Sequence, residues 1–157
     1  MLYAKVLLMS HLKVTRATPA DFHEIVRDID DFWGSDRTLA LHNAMYVNEL
    51  GDTSYAIRDG GRLLAYLFGV IAEGKKVAYV ALVGVRTAYR RQGLGERLYE
   101  LFQEYARGRG CTKLTAVTTP SNAGSIAFHT GRIGMRCTIV KDYAGAGADR
   151  AVFEKEI

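Results

Sequence analysis

The middle of the chain is strand-rich, with apolar runs at Ser54 to Arg58, Arg62 to Ile71 and Val77 to Val85. Asp59-Gly60-Gly61 and Glu73-Gly74-Lys75-Lys76 separate them with hairpin turn chemistry, which predicts an antiparallel meander. Ahead of it, Leu12 to Ala17 alternates as a first strand, and Thr18-Pro19-Ala20-Asp21 reads as a helix cap with proline at the first position. Phe22, Ile25, Val26 and Ile29 recur at helical spacing and predict the buried side of that helix. Leu39, Leu41, Ala44, Met45, Val47 and Leu50 suggest a second helix, closed by Gly51.

After Val85 a short polar link leads into Leu98, Leu101, Phe102 and Tyr105 at helical spacing, in a helix that runs to about Arg107 and ends at Gly108 and Gly110. Lys113 to Thr118 is a further strand; joined to the previous one through a helix, it should lie parallel to it. Pro120-Ser121-Asn122 caps a short helix that continues to about Gly131. Cys137 to Lys141 and Arg150 to Ile157 are the last strands. The order β-α-α-β-β-β-α-β-α-β-β belongs to an α/β or α+β sheet, and neither a barrel nor a bundle has it.

The link Arg86-Thr87-Ala88-Tyr89-Arg90-Arg91-Gln92-Gly93-Leu94-Gly95-Glu96 joins a strand to a helix start. Such a start presents unpaired backbone N–H groups and the positive end of the helix dipole, so it holds an anion. Gly93 and Gly95 let the backbone come close, and Arg90 and Arg91 add charge. The stretch reads as a phosphate cradle. A nucleoside-triphosphate loop needs Lys and Ser or Thr where Glu96 and Arg97 stand, and a dinucleotide fingerprint needs glycine at Leu98.

What survives, Arg90-x-x-Gly93-x-Gly95 after a strand, resembles the pyrophosphate loop of the GNAT superfamily of N-acetyltransferases. The short helix adds a second match, Asn122-x-x-Ser125-Ile126-x-Phe128-His129 followed by Gly134-Met135, and the order of elements is that of the GNAT fold. The resemblance implies a mixed, mostly antiparallel central sheet of six to seven strands flanked by about four helices. It also implies acetyl-CoA as co-substrate, bound at Arg90, Arg91, Gly93, Leu94, Gly95 and Glu96 through its pyrophosphate and paired with the backbone of Val83 and Val85 along its pantetheine arm.

At 100° per residue Asn122, Ser125 and His129 share one side of their helix, within an arc of about 60°, where they could hydrogen-bond the pantetheine arm. A solvated face is the bland alternative. His129 stands where many family members have a tyrosine that protonates the departing thiolate, and an imidazole of ordinary pKa about 6.5 can do so at neutral pH. The other reading is that His129 only hydrogen-bonds the cofactor or fills space. Where the family often has a glutamate base, Tyr79 and Ala81 stand here, so no base is assigned.

Composition narrows the rest. The chain has 157 residues, 48% hydrophobic and 24% charged, the range of one globular domain, expected over residues 11–157 after an extension at residues 1–10. The net charge of +4 is mild and scattered, which suits an anionic cofactor better than nucleic acid. No apolar run spans a membrane, and Cys111 and Cys137 read as free thiols in a cytoplasmic protein without metal. Asp28, Asp30, Asp31 and Asp36 surround Phe32-Trp33-Gly34; they would either attract a cationic amine or serve as caps and solvated loop. The expected activity is direct acetyl transfer to a primary amine of a small molecule or peptide, the rival a CoA-binding sensor without turnover. Pairing of final strands between copies would give a homodimer.

Overall fold

The computed structural model describes Met9 and residues 11–157, so the expected N-terminal extension falls, apart from Met9, outside the described residues. Seven strands form one sheet in the order β1-β2-β3-β4-β5-β7-β6. They are β1 (Val14–Arg16), β2 (Ser54–Asp59), β3 (Arg62–Ala72), β4 (Val77–Val85), β5 (Lys113–Thr118), β6 (Arg136–Val140) and β7 (Arg150–Glu156). β1 with β2, β2 with β3, β5 with β7 and β7 with β6 are antiparallel, whereas β4 and β5 are parallel, as a helical crossover demands. The parallel register runs from Val77↔Lys113 to Val80↔Ala116.

Five α-helices whose bounds lie among the described residues accompany the strands: α1 (Pro19–Arg27), α2 (Ile29–Trp33), α3 (Met45–Asn48), α4 (Leu94–Gly108) and α5 (Ala123–Ala127), the last continuing into a π-type turn, Phe128–Arg132. α1 begins where the sequence predicts. Thr18 Oγ1 accepts from the Asp21 amide at 3.3 Å while Asp21 Oδ2 accepts from the Thr18 amide at 2.7 Å, a reciprocal capping box. α2 stops at Gly34, whose φ of 73° ends the helix in the left-handed region.

The chain's contacts fall into two compact units. One takes the described residues up to Gly69 together with Leu82–Glu100; the other takes Val70–Ala81 and Leu101–Ile157. In the first, Ile25, Ile29 and Phe32 of the helices join Ala56, Leu63, Tyr66, Phe68 and Leu82 of the strands in one buried cluster, with Phe22, Trp33 and Tyr46 against it. Fully burying side chains of this kind contributes about 1.5–3 kcal/mol apiece. In the second, Leu114, Ala116, Ala151 and Phe153 are buried along the paired β5 and β7.

The segment between α2 and β2 departs from the sequence expectation. In place of one helix from Leu39 to Leu50 there is a 3-10 turn, Leu39–Leu41, then extended backbone at His42, then the four-residue α3. Leu39, Leu41 and Met45 are exposed, so the apolar spacing there does not mark a buried stripe. His42 leaves the helical region because its ring is bonded at both nitrogens, to Thr38 O at 2.8 Å and to Tyr66 Oη on β3 at 2.6 Å. Cys111 and Cys137 are free thiols, and among the described residues no helix is long and apolar enough to cross a membrane.

Candidate active site

The turn between β4 and α4 holds the stretch that the sequence marks as a candidate anion cradle. Backbone from Arg86 closes a single 3-10 turn over Thr87–Tyr89, with Tyr89 N–H on Arg86 O at 2.9 Å. Arg90 is extended, at φ −65° and ψ 159°, and Arg91 then takes φ 59° and Gly93 φ 80°. Two left-handed positions, Arg91 and Gly93, flank Gln92 just before α4 begins at Leu94. A Cβ on Gly93 would meet nothing within 4 Å, so the glycine is there for its backbone angle and leaves open space beside it. The ladder of α4 opens with Arg97 N–H on Gly93 O at 3.0 Å, and the amides of Leu94 and Gly95 precede that bond at the positive end of a fifteen-residue helix.

Strand β4 feeds this turn with alternate faces. Ala78, Val80, Leu82 and Gly84 are buried, while Val77, Tyr79, Ala81, Val83 and Val85 are half-buried on the other side. Gly84 lets the neighbouring strand come close: a Cβ there would stand 2.5 Å from Tyr66 Cε1. Tyr66 Oη, at the end of that ring, accepts from Trp33 Nε1 at 2.7 Å and donates to His42 Nε2. With Nδ1 donating to Thr38 O, the tautomer of His42 is fixed. Burial pushes the Tyr66 hydroxyl above its ordinary range and the His42 ring below its own, so both are neutral near pH 7.

The arginines do not all serve the cradle directly. Arg86, 2% exposed, donates to Leu63 O, to Asp31 Oδ2 at 2.8 Å, to Asp28 Oδ2 at 2.7 Å and to Glu24 Oε1 at 3.0 Å, with its guanidinium 4.6 Å over the Phe32 ring. Burial opposes that charge, but the bonds to Asp28 and Asp31 outweigh it and hold Arg86 ionised. Arg90 donates to Phe32 O at 2.6 Å and to Val85 O at 3.3 Å, and Arg91 is exposed.

The same bonds account for half of the acidic cluster. Asp28 lies between Arg27 and Arg86, which together hold its carboxyl far below the usual range. Asp31 faces Arg86 and, at 3.2 Å, Arg62. These two are therefore engaged within the fold, and Asp30 and Asp36 are the exposed members. Sequence reasoning had no view of Arg86 as their partner, because 55 and 58 positions separate it from Asp31 and Asp28.

The polar stripe of the short helix is present in the second unit. Asn122 caps α5, its Oδ1 accepting from the Ser125 amide at 3.2 Å while its Nδ2 donates to Thr118 Oγ1 at 3.1 Å. His129, 6% exposed, stacks on Phe153 with centroids 4.4 Å apart and planes 13° from parallel. Its Nδ1 lies 2.7 Å from Ser125 O and 3.1 Å from Ser125 Oγ. A carbonyl only accepts, so Nδ1 carries the proton in the neutral ring. Burial pushes the imidazole below its ordinary pKa, partly opposed by that bond to Ser125.

Comparison with known proteins bears on the fold and the family. The model of the "Acetyltransferase (GNAT) family" matches residues 20–135. A rice protein, Acetyl transferase GW6a of Oryza sativa subsp. japonica, is 34% identical over 101 residues, 60% of this chain, and the match spans only 24% of that relative's length. The ribosomal-protein-S18-alanine N-acetyltransferase of Escherichia coli superposes with a TM-score of 0.68 at 21% identity, covering 93% of this chain and 94% of that one. PaiA N-acetyltransferase of Thermoplasma acidophilum, solved in complex with coenzyme A, superposes with a TM-score of 0.71 at 12% identity, covering 93% and 99%. At those identities the two structures speak for the fold, and the family match covers well over half of the sequence: the chain belongs to the GNAT acetyltransferase family.

Proposed function

We propose that the chain transfers the acetyl group of acetyl-CoA directly to a primary amine, carried by a small molecule or a peptide. The observation that carries this reading is the turn itself: a strand that ends at Val85, left-handed backbone at Arg91 and Gly93, and the N-terminal end of α4 directly after it. An added Cβ at Gly93 would meet nothing within 4 Å, so no side chain crowds the approach of a diphosphate to that residue. The amides of Gly93, Leu94, Gly95 and Glu96 would hold it, and the Arg91 side chain would supply charge. Arg90, bonded to Phe32 O and Val85 O, would shape the turn as well as add to its potential.

The parallel register with β5 ends at Val80, while β4 continues to Val85. Backbone groups of Val83 and Val85 would pair with the extended pantetheine arm, as a further strand would. Positioning of two reactants supplies much of the rate in such a transfer. Asn122 and Ser125 would bond the arm from α5, and His129 would protonate the departing thiolate. Because Nδ1 is committed to Ser125 O, the proton it gives must sit on Nε2 of the charged ring.

That same tie favours a second reading, in which neutral His129 accepts an N–H of the arm at Nε2 and does no acid chemistry. A route through an acetylated cysteine is disfavoured, since burial raises the Cys111 thiol and leaves little nucleophilic thiolate. Calorimetry with CoA, followed by free-thiol release from acetyl-CoA across a panel of small amines and peptide N-termini, tests the proposal. Uptake of CoA with amine-dependent thiol release supports it. Uptake without release from any amine favours a sensor, and no uptake removes the reading altogether.

A further inference from the structure

Between β4 and the cradle lies a five-residue link, Arg86 to Arg90, and three of its side chains, besides their other bonds, reach α2. Arg86 Nη1 donates to Asp31 Oδ2 at 2.8 Å, Thr87 Oγ1 to Asp31 O at 2.8 Å and Arg90 Nη2 to Phe32 O at 2.6 Å. All three acceptors belong to consecutive residues of α2. Asp31 alone takes two of the three, one at its carboxylate and one at its carbonyl. The Arg86 side chain is 2% exposed, so water does not compete for its end of that bond. An arginine fork bonded on several sides has little freedom to move.

We infer that Asp31 is a positioning residue for the cofactor, fixing the path of the link and thereby the direction in which the cradle amides point. The inference rests on the reading that those amides bind the diphosphate of CoA. It makes Asp31 an anion that promotes the binding of an anion. Simple electrostatics predicts the opposite, because removing a negative charge near a phosphate site strengthens phosphate binding. The two accounts differ in sign, which makes them separable.

The test compares Asp31→Ala, Asp31→Asn and Thr87→Val with the parent chain by calorimetry with CoA. Asp31 is 35% exposed at its side chain and Thr87 lies at the surface, so both positions accept substitution. Asp31→Ala removes the charge and the acceptor, while Asp31→Asn removes the charge and keeps an acceptor oxygen for Arg86. The expected result is an affinity loss of about tenfold for Asp31→Ala, the scale of a displaced binding group. Asp31→Asn should recover part of it, and Thr87→Val, which deletes only a hydroxyl, should show a smaller loss. Catalysis with S-acetylpantetheine, a thioester without diphosphate, should change little in all three.

CoA affinity for Asp31→Ala equal to or tighter than that of the parent overturns the inference, as does an Asp31→Asn variant no better than Asp31→Ala. If Asp31→Ala does not fold, Thr87→Val decides by itself, and parent-like affinity there overturns the inference too. A parent chain that takes up no CoA defeats the reading of the cradle, an outcome distinct from all of these.

Discussion

Tyr66 on β3 and Gly84 on β4 fit together so closely that the glycine hydrogen occupies the only space the ring leaves, with a Cβ placed 2.5 Å from Cε1 and 2.9 Å from Oη. The ring cannot step aside, because its hydroxyl is held by Trp33 and His42 and its residue is fully buried. Gly84→Ala should therefore destabilise the fold by about 1–3 kcal/mol, the usual consequence of overfilling a packed interior. Denaturant unfolding of the purified variant measures it, and an unchanged midpoint would mean that the strands separate more readily than the contact suggests.

Tyr66→Phe relieves no crowding and removes one oxygen. Trp33 Nε1 then loses its acceptor and His42 Nε2 its donor, in surroundings where unpaired polar groups are expensive. The expected loss is about 1–3 kcal/mol of stability with CoA affinity retained, since neither partner lies on the cradle turn. Unfolding curves and calorimetry on the same preparation separate the two effects.

Stability should depend on pH in two windows. His42 and His129 both have pKa values lowered by burial, so the folded state prefers them neutral and the unfolded state binds protons first. Their contribution is complete above about pH 6.5 and is lost as pH falls below it toward the folded values. Glu24 and Asp28 also have lowered pKa values: burial opposes the lowering at Glu24, where the Leu63 amide and Arg58 overcome it, and Arg27 and then Arg86 lower Asp28. Their contribution is present above the ordinary carboxylate range and disappears as pH falls through the folded values. Melting temperature against pH should show a decline beginning near pH 6.5 that is shallower in His42→Gln, and a second below about pH 4.

His129→Phe keeps the stack on Phe153 and removes the exchangeable proton. If the imidazole protonates the thiolate, turnover should fall on the order of 10²-fold with little change in CoA affinity. The parent's turnover should then decline as pH rises through the lowered pKa of the ring, because only the charged form carries a proton on Nε2. Steady-state rates with saturating amine between pH 5.5 and 9 distinguish this from the accepting role, in which the substitution weakens CoA binding and leaves turnover near that of the parent.

Much of the fold could be read from residue order. The bounds of β4 and β5 agree with the expected Val77–Val85 and Lys113–Thr118, because each apolar-rich run is flanked by polar residues, Lys76 and Arg86 for β4 and Thr112 and Thr119 for β5. The cap at Thr18 and the left-handed turn at Gly93 carry their information within a few positions. The failures are of long range. Leu39 to Leu50 has helical spacing, yet His42 answers to Tyr66, 24 positions further on. Asp28 and Asp31 look solvated in sequence because Arg86, which neutralises them, belongs to another part of the chain. No local periodicity encodes either partnership.

Arg91 occupies a backbone angle, φ 59°, at which glycine would be at ease and a side chain raises the local energy by on the order of 1 kcal/mol. Anyone engineering this chain for heat resistance would choose Arg91→Gly early, as a harmless correction. It would be a poor choice, because the place where the turn keeps an awkward residue is also the place where an exposed cation precedes the helix.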